Sequence, residues 1–352
     1  MPISRSKFLK YAVGIDIAKD SFVARFGSLD TNLQLQLDKP DDKTFANTQA
    51  GFADLLTWVK KLRLARVPLI FVVEATGVYY EELAYFLADH QQSVSVLLPF
   101  KVKHFAHSTK QKGKTDKQDA RMLCRLGLER HDLPIWTAAT STMRIMRGLY
   151  RELDALKHDS TRLKNKLHAY EHTYQPNART IARLVERQQM LARHIEEVNQ
   201  ELAQLVAKDS ELQSKIALLT SVPGVGLATA IAVVSETSGF SLTENERQLA
   251  SYAGLDVVQK QSGLTSKPSS ISRRGNTRLR TALYMAAMSS KRCNPRLKAF
   301  FEGLKVRKSN AKAPLIAVMR KLLLLCYALW KKNQAFDPAY KQVQSTTILT
   351  IP

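Results

Sequence analysis

Four carboxylates stand where a carboxylate is expensive to keep. Asp16 closes the apolar run AVGI and Glu74 follows FVV, so both fall at or near the ends of stretches patterned as buried strands. Asp116 and Asp119 are three residues apart, which puts them on one face of a helix. Brought together, four such groups repel one another and shift their titrations unless a cation sits among them, and an oxygen-only donor set suits Mg2+. The chemistry that follows is metal-assisted phosphoryl transfer, in which an attacking oxygen is activated and a leaving oxygen stabilised. Taken singly, each acid also reads as a strand-end turn or a helix cap.

Two further stretches carry polar chemistry. SVPGVGL, residues 221–227, lies between the apolar IALL and the helical ATAIAVV, and Pro223, Gly224 and Gly226 make it a tight hairpin. It leaves backbone N–H groups at the following helix start to hold a phosphate, as in a helix-hairpin-helix turn that grips the DNA backbone; a plain interhelical turn is the other reading. Gln261 opens a low-hydrophobicity loop that runs through SKPSSISRRGNTR, with Arg273, Arg274, Arg278 and Arg280 at its exit. Those arginines are suited to neutralising a phosphodiester. On residue type alone Ser262 is an ordinary loop serine, with no Asp and His partner near it in sequence.

These residues need a frame. From Ala12 to about Leu37, two short apolar or alternating runs and the alternating leucines 33, 35 and 37 predict three consecutive antiparallel strands. A helix follows over 46–62, a buried strand from Pro68, a helix over 79–87 and a strand over 94–98. The order βββαβαβ predicts a mixed sheet with helices on its faces, an α/β domain ending near residue 135. Lys101 to Lys117 carries six lysines and no acid before Asp116, and reads as a mobile basic loop; a helix over 116–129 follows it.

From 140 to 216 the chain changes character, with one proline and little β pattern. Leu191, Ile195, Val198, Leu202, Leu205, Leu212 and Ile216 form an a/d seam in which Asp209 fills the missing position. Ile145, Leu149, Leu153, Leu156, Leu163 and Leu167 form a looser stripe, and TYQPNART breaks the two, so an antiparallel coiled-coil hairpin is expected, closed within one chain or across a dimer. Residues 217–340 are expected to form a mainly helical, basic domain, followed by a tail over 341–352.

The charge narrows the partner. The 352 residues carry 53 Lys and Arg against 31 Asp and Glu, a formal charge of +22, and residues 260–332 hold 18 of the basic residues with Glu302 as their only acid. Such an excess repels itself without a polyanion, which favours nucleic acid over a small neutral metabolite. At 45% hydrophobic residues the chain buries a real core and is not a disordered tail. Its longest uninterrupted apolar run, Leu322 to Trp330, is nine residues against the roughly 20 of a bilayer span, so no membrane helix and a cytoplasmic location are expected. Cys124, Cys293 and Cys326 are far apart with no CxxC pair, which argues against a disulfide scaffold or a cysteine zinc site.

YAVGIDIAKDSF, VVEATGVY, KTDKQDARML, SVPGVGLATA, QLASYAGL, QSG and ISRRGNTRLRTALYMAA, in that order, resemble the DEDD transposases of one insertion-sequence family. That family also contains the Piv-type DNA invertases and members guided by a structured bridge RNA. The resemblance covers about residues 11 to 340. It implies a RuvC-like, ribonuclease-H-type domain whose four acids, here Asp16, Glu74, Asp116 and Asp119, bind Mg2+. It further implies a coiled coil through which protomers assemble, a dimer going on to a tetramer, and a C-terminal transposase domain. There the serine of a Ser-Gly pair attacks DNA and becomes joined to it, which carries over onto Ser262 with Gly263 after it. Gly263 and Asn276, the latter within RRGNTR, join the four arginines and the hairpin residues Pro223, Gly224 and Gly226 as expected nucleic-acid contacts. The expected activity is cutting and rejoining of double-stranded DNA at two sites; the alternatives are a RuvC-type nuclease using water and a non-enzymatic nucleic-acid-binding protein.

Overall fold

A computed structural model describes residues 7–37, 41–109, 115–262, 265–307 and 312–339, and for 259–262 and 265–269 it describes the backbone. The chain divides into two compact units, Met1–Ala138 and Ala139–Pro352.

The first unit is built on strands β1 (Phe8–Ile17), β2 (Ser21–Asp30), β3 (Leu35–Gln36), β4 (Lys43–Ala46), β5 (Leu69–Glu74) and β6 (Ser93–Leu97). The sheet runs β3-β2-β1-β5-β6, with β4 pairing β2. The β1–β2 pair is antiparallel, whereas β1, β5 and β6 run parallel. Along β1 the side chains alternate: Tyr11, Val13 and Ile15 join one core with α1 (Gln49–Leu62) and α2 (Glu81–Asp89), and Ala12 joins another with α3 (Pro99–Ser108) and α4 (Asp116–Glu129). Both faces are covered, which is why β5 reads as a continuous apolar run.

The sequence order βββαβαβ is right in its mixed α/β character and omits β4. Four residues with one buried side chain, Phe45, give too little alternation to register, and the helix start moves to Gln49, where the Thr48 side chain accepts from Gly51 N. Residues 101–108, expected as loop, belong to α3: Pro99 starts it and Val102 and Phe105 bury its inner side. Lysines on the outer face of a helix look like a loop when only charge is counted. Residues 110–114 lie outside the described residues.

The second unit opens with a helical hairpin, α5 (Ser141–Glu171) and α6 (Ala178–Ala207). Its turn falls at 172–177, where Asn177 caps α6 by accepting from Thr180 N. The stripe on α5 is corrected in one place: Ile145 is exposed and Met146 is fully buried in its stead. Asp209, expected inside the seam, instead caps a separate helix α7 (Ser210–Thr220), its carboxylate accepting from Leu212 N at 2.9 Å. Val198, Leu202 and Val206 pack with Met146 and Leu153, and this core continues without a break into α7, α8 (Leu227–Thr237), α10 (Thr277–Cys293) and α12 (Ala313–Lys332). The base of the hairpin is thus closed within the chain. Helix α9 (Glu246–Tyr252), a two-stranded ribbon of β7 (Val257–Ser262) and β8 (Thr265–Ile271), and α11 (Pro295–Arg307) complete the unit. Helix α12 is long and apolar enough to cross a membrane by composition, yet Val318, Leu322, Leu323 and Cys326 are fully buried in this core.

Candidate active site

Parallel pairing of β1 with β5 places Ile15 opposite Val73, so Asp16 and Glu74 are the next residues along two neighbouring strands. Both share the parity of Ala12 and of Ile70 and Val72, the residues that face α3 and α4. The two acids therefore emerge on one face at the carboxyl ends of the central strands, and both are half-buried.

Helix α4 lies on that same face because Gly14 lets it. A Cβ on Gly14 would stand 2.1 Å from both the Ala120 carbonyl oxygen and the Cys124 nitrogen, and one on Gly127 would meet Ala12 Cβ at 2.8 Å and Val72 Cγ2 at 2.9 Å. Residues 120–124 thus cross Gly14 while residue 127 crosses Ala12, so α4 runs antiparallel to β1. Its amino end, with Asp116 and Asp119 in the first turn, points toward the strand end that carries Asp16. Thr115 caps the helix, accepting from Gln118 N, and acids in a first turn are favoured by the helix dipole. Asp119 is half-buried and Asp116 exposed. Cys124, behind this stripe, gives its Sγ to the Ala12 carbonyl at 3.3 Å, and burial pushes its thiol up to about 12, so it packs and does not react.

An oxygen-only set of carboxylates on one face and one edge is the right donor chemistry for a hard divalent ion. Among the described residues, no three His, Cys, Asp or Glu side chains close into a single coordination sphere.

The second unit places the other expected residues. Gly224 adopts φ +97, and a Cβ there would sit 2.1 Å from Ser290 Oγ, while that hydroxyl donates to the Pro223 carbonyl at 3.0 Å. The 221–227 turn is thereby docked on α10 through Pro223 and Gly224, and Gly226, with open space around it, starts α8. Ser262 is the last residue of β7, paired with Thr265 across the ribbon's tip, so the expected loop is a hairpin; Gly263 lies outside the described residues.

The ribbon's base is fastened by two glycines. Gly254 has φ +66, and a Cβ on Gly275 would fall 2.5 Å from Gly254 N and 2.4 Å from the Tyr252 carbonyl oxygen, so the turn after α9 and the RRGN turn lie back to back. Arg280 donates to the Ala253 carbonyl at 2.9 Å and to Thr277 Oγ1 at 2.9 Å, and Arg278 pairs with Asp154 at 3.3 Å. Arg273 and Arg274 are exposed. Asn276 caps α10, accepting from Leu279 N at 3.0 Å, and its Nδ2 donates to Glu236 Oε2 at 2.6 Å.

Glu236 was not singled out by sequence. It is fully buried, bidentate to Arg151 at 2.9 and 3.0 Å, and its carbonyl accepts from Tyr252 OH at 2.7 Å. Burial alone would raise its pKa; hydrogen bonds from Arg151 and Asn276 and the charges of Arg151 and Arg147 outweigh that and hold it below the usual carboxylate value. The available signal was an acid near the end of the apolar helix ATAIAVVSET, which must find a partner, with Arg147 and Arg151 four residues apart upstream.

Asp16 and Glu74 at the carboxyl ends of two central strands, and separately a basic helical unit with docked turns and exposed arginines, are features that suit an enzyme acting on DNA. A profile of DEDD transposases, described as "Transposase", matches residues 13–176, and one described as "Transposase IS116/IS110/IS902 family" matches residues 216–302. The chain is 31% identical over 340 residues to the pilin gene-inverting protein of Moraxella lacunata, covering 93% of this chain and 98% of that protein. The Moraxella bovis protein of the same name is 30% identical over 337 residues, with the same coverage. The transposase for insertion sequence element IS1328 of Yersinia enterocolitica is 26% identical over 232 residues, 58% of this chain and 67% of that one. The chain belongs to the IS116/IS110/IS902 transposase family and is a DNA transposase or recombinase. The DEDD transposases are metal-dependent enzymes, typically with divalent cations.

Proposed function

We propose that this protein cuts and rejoins DNA strands at two double-stranded sites with Ser262 as nucleophile and Mg2+ held by Asp16, Glu74, Asp116 and Asp119. The observation that carries the metal half of this reading is the parallel register that sets Asp16 beside Glu74, on the face where α4 delivers its acidic first turn. For the serine half, support comes from the family's Ser-Gly motif and from the position of Ser262 at the tip of a ribbon whose base is fixed at Gly254 and Gly275.

The serine oxygen attacks phosphorus, forming a Ser–O–P ester as the bond from phosphorus to one deoxyribose oxygen breaks. The serine proton passes to a base, and the departing oxygen leaves as a hydroxyl once protonated. In the rejoining step a hydroxyl of the second DNA attacks the same phosphorus and releases the serine, so no external energy source is needed. Bound Mg2+ would supply charge stabilisation for the attacking and leaving oxygens. Arg273 and Arg274 neutralise the flanking phosphates, and Pro223, Gly224 and Gly226 present the start of α8 to the DNA backbone. Asn276, Arg278 and Arg280 complete the same nucleic-acid interface; Arg280 also holds the turn after α9 through the Ala253 carbonyl, and Arg278 ties α10 to α5 through Asp154. Guidance by a structured bridge RNA, assembly from dimer to tetramer and a cytoplasmic location at the nucleoid belong to the family reading, and the charge of +22 supports a nucleic-acid partner.

A denaturing gel of a cleavage reaction in Mg2+ tests the proposal. Protein covalently attached to DNA is the expected product. Free cleaved ends without adduct would instead favour a water-using nuclease, and no cut at all would favour a purely binding role.

A further inference from the structure

Asn47 sits at the corner between β4 and α1, at the end of the sheet where the acids emerge. Its carboxamide nitrogen donates to three main-chain oxygens, those of Ala18 at 3.1 Å, Lys19 at 3.3 Å and Tyr79 at 3.2 Å. The first two follow Asp16 by two and three residues, and the third follows Glu74 by five. One amide group thus ties the loop leaving β1 to the loop leaving β5. All three partners are acceptors, so only the nitrogen can face them, its two hydrogens shared among three oxygens.

The corner does not need this side chain to form. Thr48 caps α1, the Asn47 main-chain N–H donates to the Asp20 carbonyl at 3.0 Å, and a Cβ on Gly51 would stand 2.0 Å from the Ala46 oxygen, which fixes how the helix leaves the strand. The Asn47 Oδ1 is buried without a hydrogen-bond partner among the described residues, so the amide's hydrogen bonds are all made by its nitrogen, to the two loops.

We propose that Asn47 is a positioning residue: by clasping the two loops it sets the separation of Asp16 and Glu74 and so the affinity of the acidic edge for a divalent ion. This rests on the reading of those two acids as metal ligands. Residues that orient metal ligands from behind typically matter 10–100-fold in affinity.

The test is titration of Mn2+ into the full-length protein, followed by calorimetry, for wild type, Asn47→Ala, Asn47→Leu, Thr48→Ala and Asp16→Asn, with thermal unfolding of each. Both Asn47 variants are expected to weaken Mn2+ binding about 10–100-fold, and Thr48→Ala, which loosens the corner but keeps the clasp, to bind as wild type does. The leucine variant keeps the side-chain volume and serves if alanine does not fold. Wild-type affinity in the folded Asn47 variants would overturn the inference, as would an equal loss in Thr48→Ala. If Asp16→Asn binds Mn2+ as wild type does, the metal reading itself falls, a result distinct from failure of the clasp alone.

Discussion

Glu74 and Glu236 are both glutamates that follow apolar runs, LIFVV and AIAVVS, and the two units treat them in opposite ways. Glu236 is on a helix packed from several sides, is fully buried, and is met by Arg151 and Asn276. Glu74 is at a strand's carboxyl end, half-buried, next in register to Asp16 and paired to Leu97. A helix interior surrounds a carboxylate with partners that neutralise it, and the acid then serves folding. A strand end in a parallel sheet sets its acid beside that of the neighbouring strand, on the face where a helix start carries more of the same charge, which is the arrangement the proposed chemistry needs. Both units bring backbones together with glycine, Gly14 under α4 in one and Gly224, Gly254 and Gly275 in the other. The first presents carboxylates on that framework, the second arginines.

The largest expected effect comes from spoiling the framework of the acidic edge. Gly14→Val forces backbone apart at Ala120 and Cys124, beyond what a side-chain rotation can relieve, and should cost more than about 3 kcal/mol. Loss of the first unit's cooperative melting with the second unit's transition kept is the expected calorimetric result; an unperturbed first transition would mean that α4 is not seated on β1 as described.

Next is the buried pair. Glu236→Ala should destabilise the second unit by about 2–3 kcal/mol, less than a fully buried pair because Arg151 is 46% exposed. The pH dependence has a definite sign. A carboxyl held below its ordinary value stabilises the fold above that value, and the stabilisation is lost as the pH falls through the depressed one. Glu236→Gln should therefore flatten the acid-side loss of stability of the second unit in thermal melts between neutral and acidic pH; a slope equal to wild type would remove Glu236 from the account of folding.

The arginines divide the same way. Neutralising exposed Arg273 or Arg274 should lower the slope of log affinity against log salt by about 1 on unrelated DNA. Arg278, already paired with Asp154, should lower it less. Equal slopes for all three variants would break the distinction between arginines that hold the unit and arginines that hold DNA. The smallest effect is Gly226→Ser, which meets nothing within 4 Å and places a capping side chain ahead of α8. Its melting should change by no more than about 0.5 kcal/mol, and a large loss would give Gly226 a packing role like that of Gly224.

Sequence placed Asp16 and Glu74 near strand ends, and Asp116 and Asp119 on one helix turn, because an apolar run that meets a carboxylate is legible and i, i+3 spacing aligns two more. It reached the helical hairpin because leucine periodicity persists over many turns. It did not reach β4, too short to alternate, or α3, whose lysines mask two buried apolar residues. It took Asp209 for a seam position because a heptad count is blind to a cap. Glu236, Arg151 and Asn276 come from three distant segments, and Asn47 acts through main-chain oxygens that carry no sequence signature. Partners that only the tertiary fold brings together leave no local pattern.

The proposed reaction needs both Ser262 as nucleophile and metal-binding carboxylates, Asp16 among them. Its most direct test is covalent capture of a nicked DNA substrate in Mg2+ by wild type, Asp16→Asn and Ser262→Ala, resolved on a denaturing gel with DNA binding measured alongside. The expected result is a protein–DNA adduct for wild type alone, with all three proteins binding DNA comparably. Adduct or recombinant product from Ser262→Ala would contradict the account and return the chemistry to attack by water.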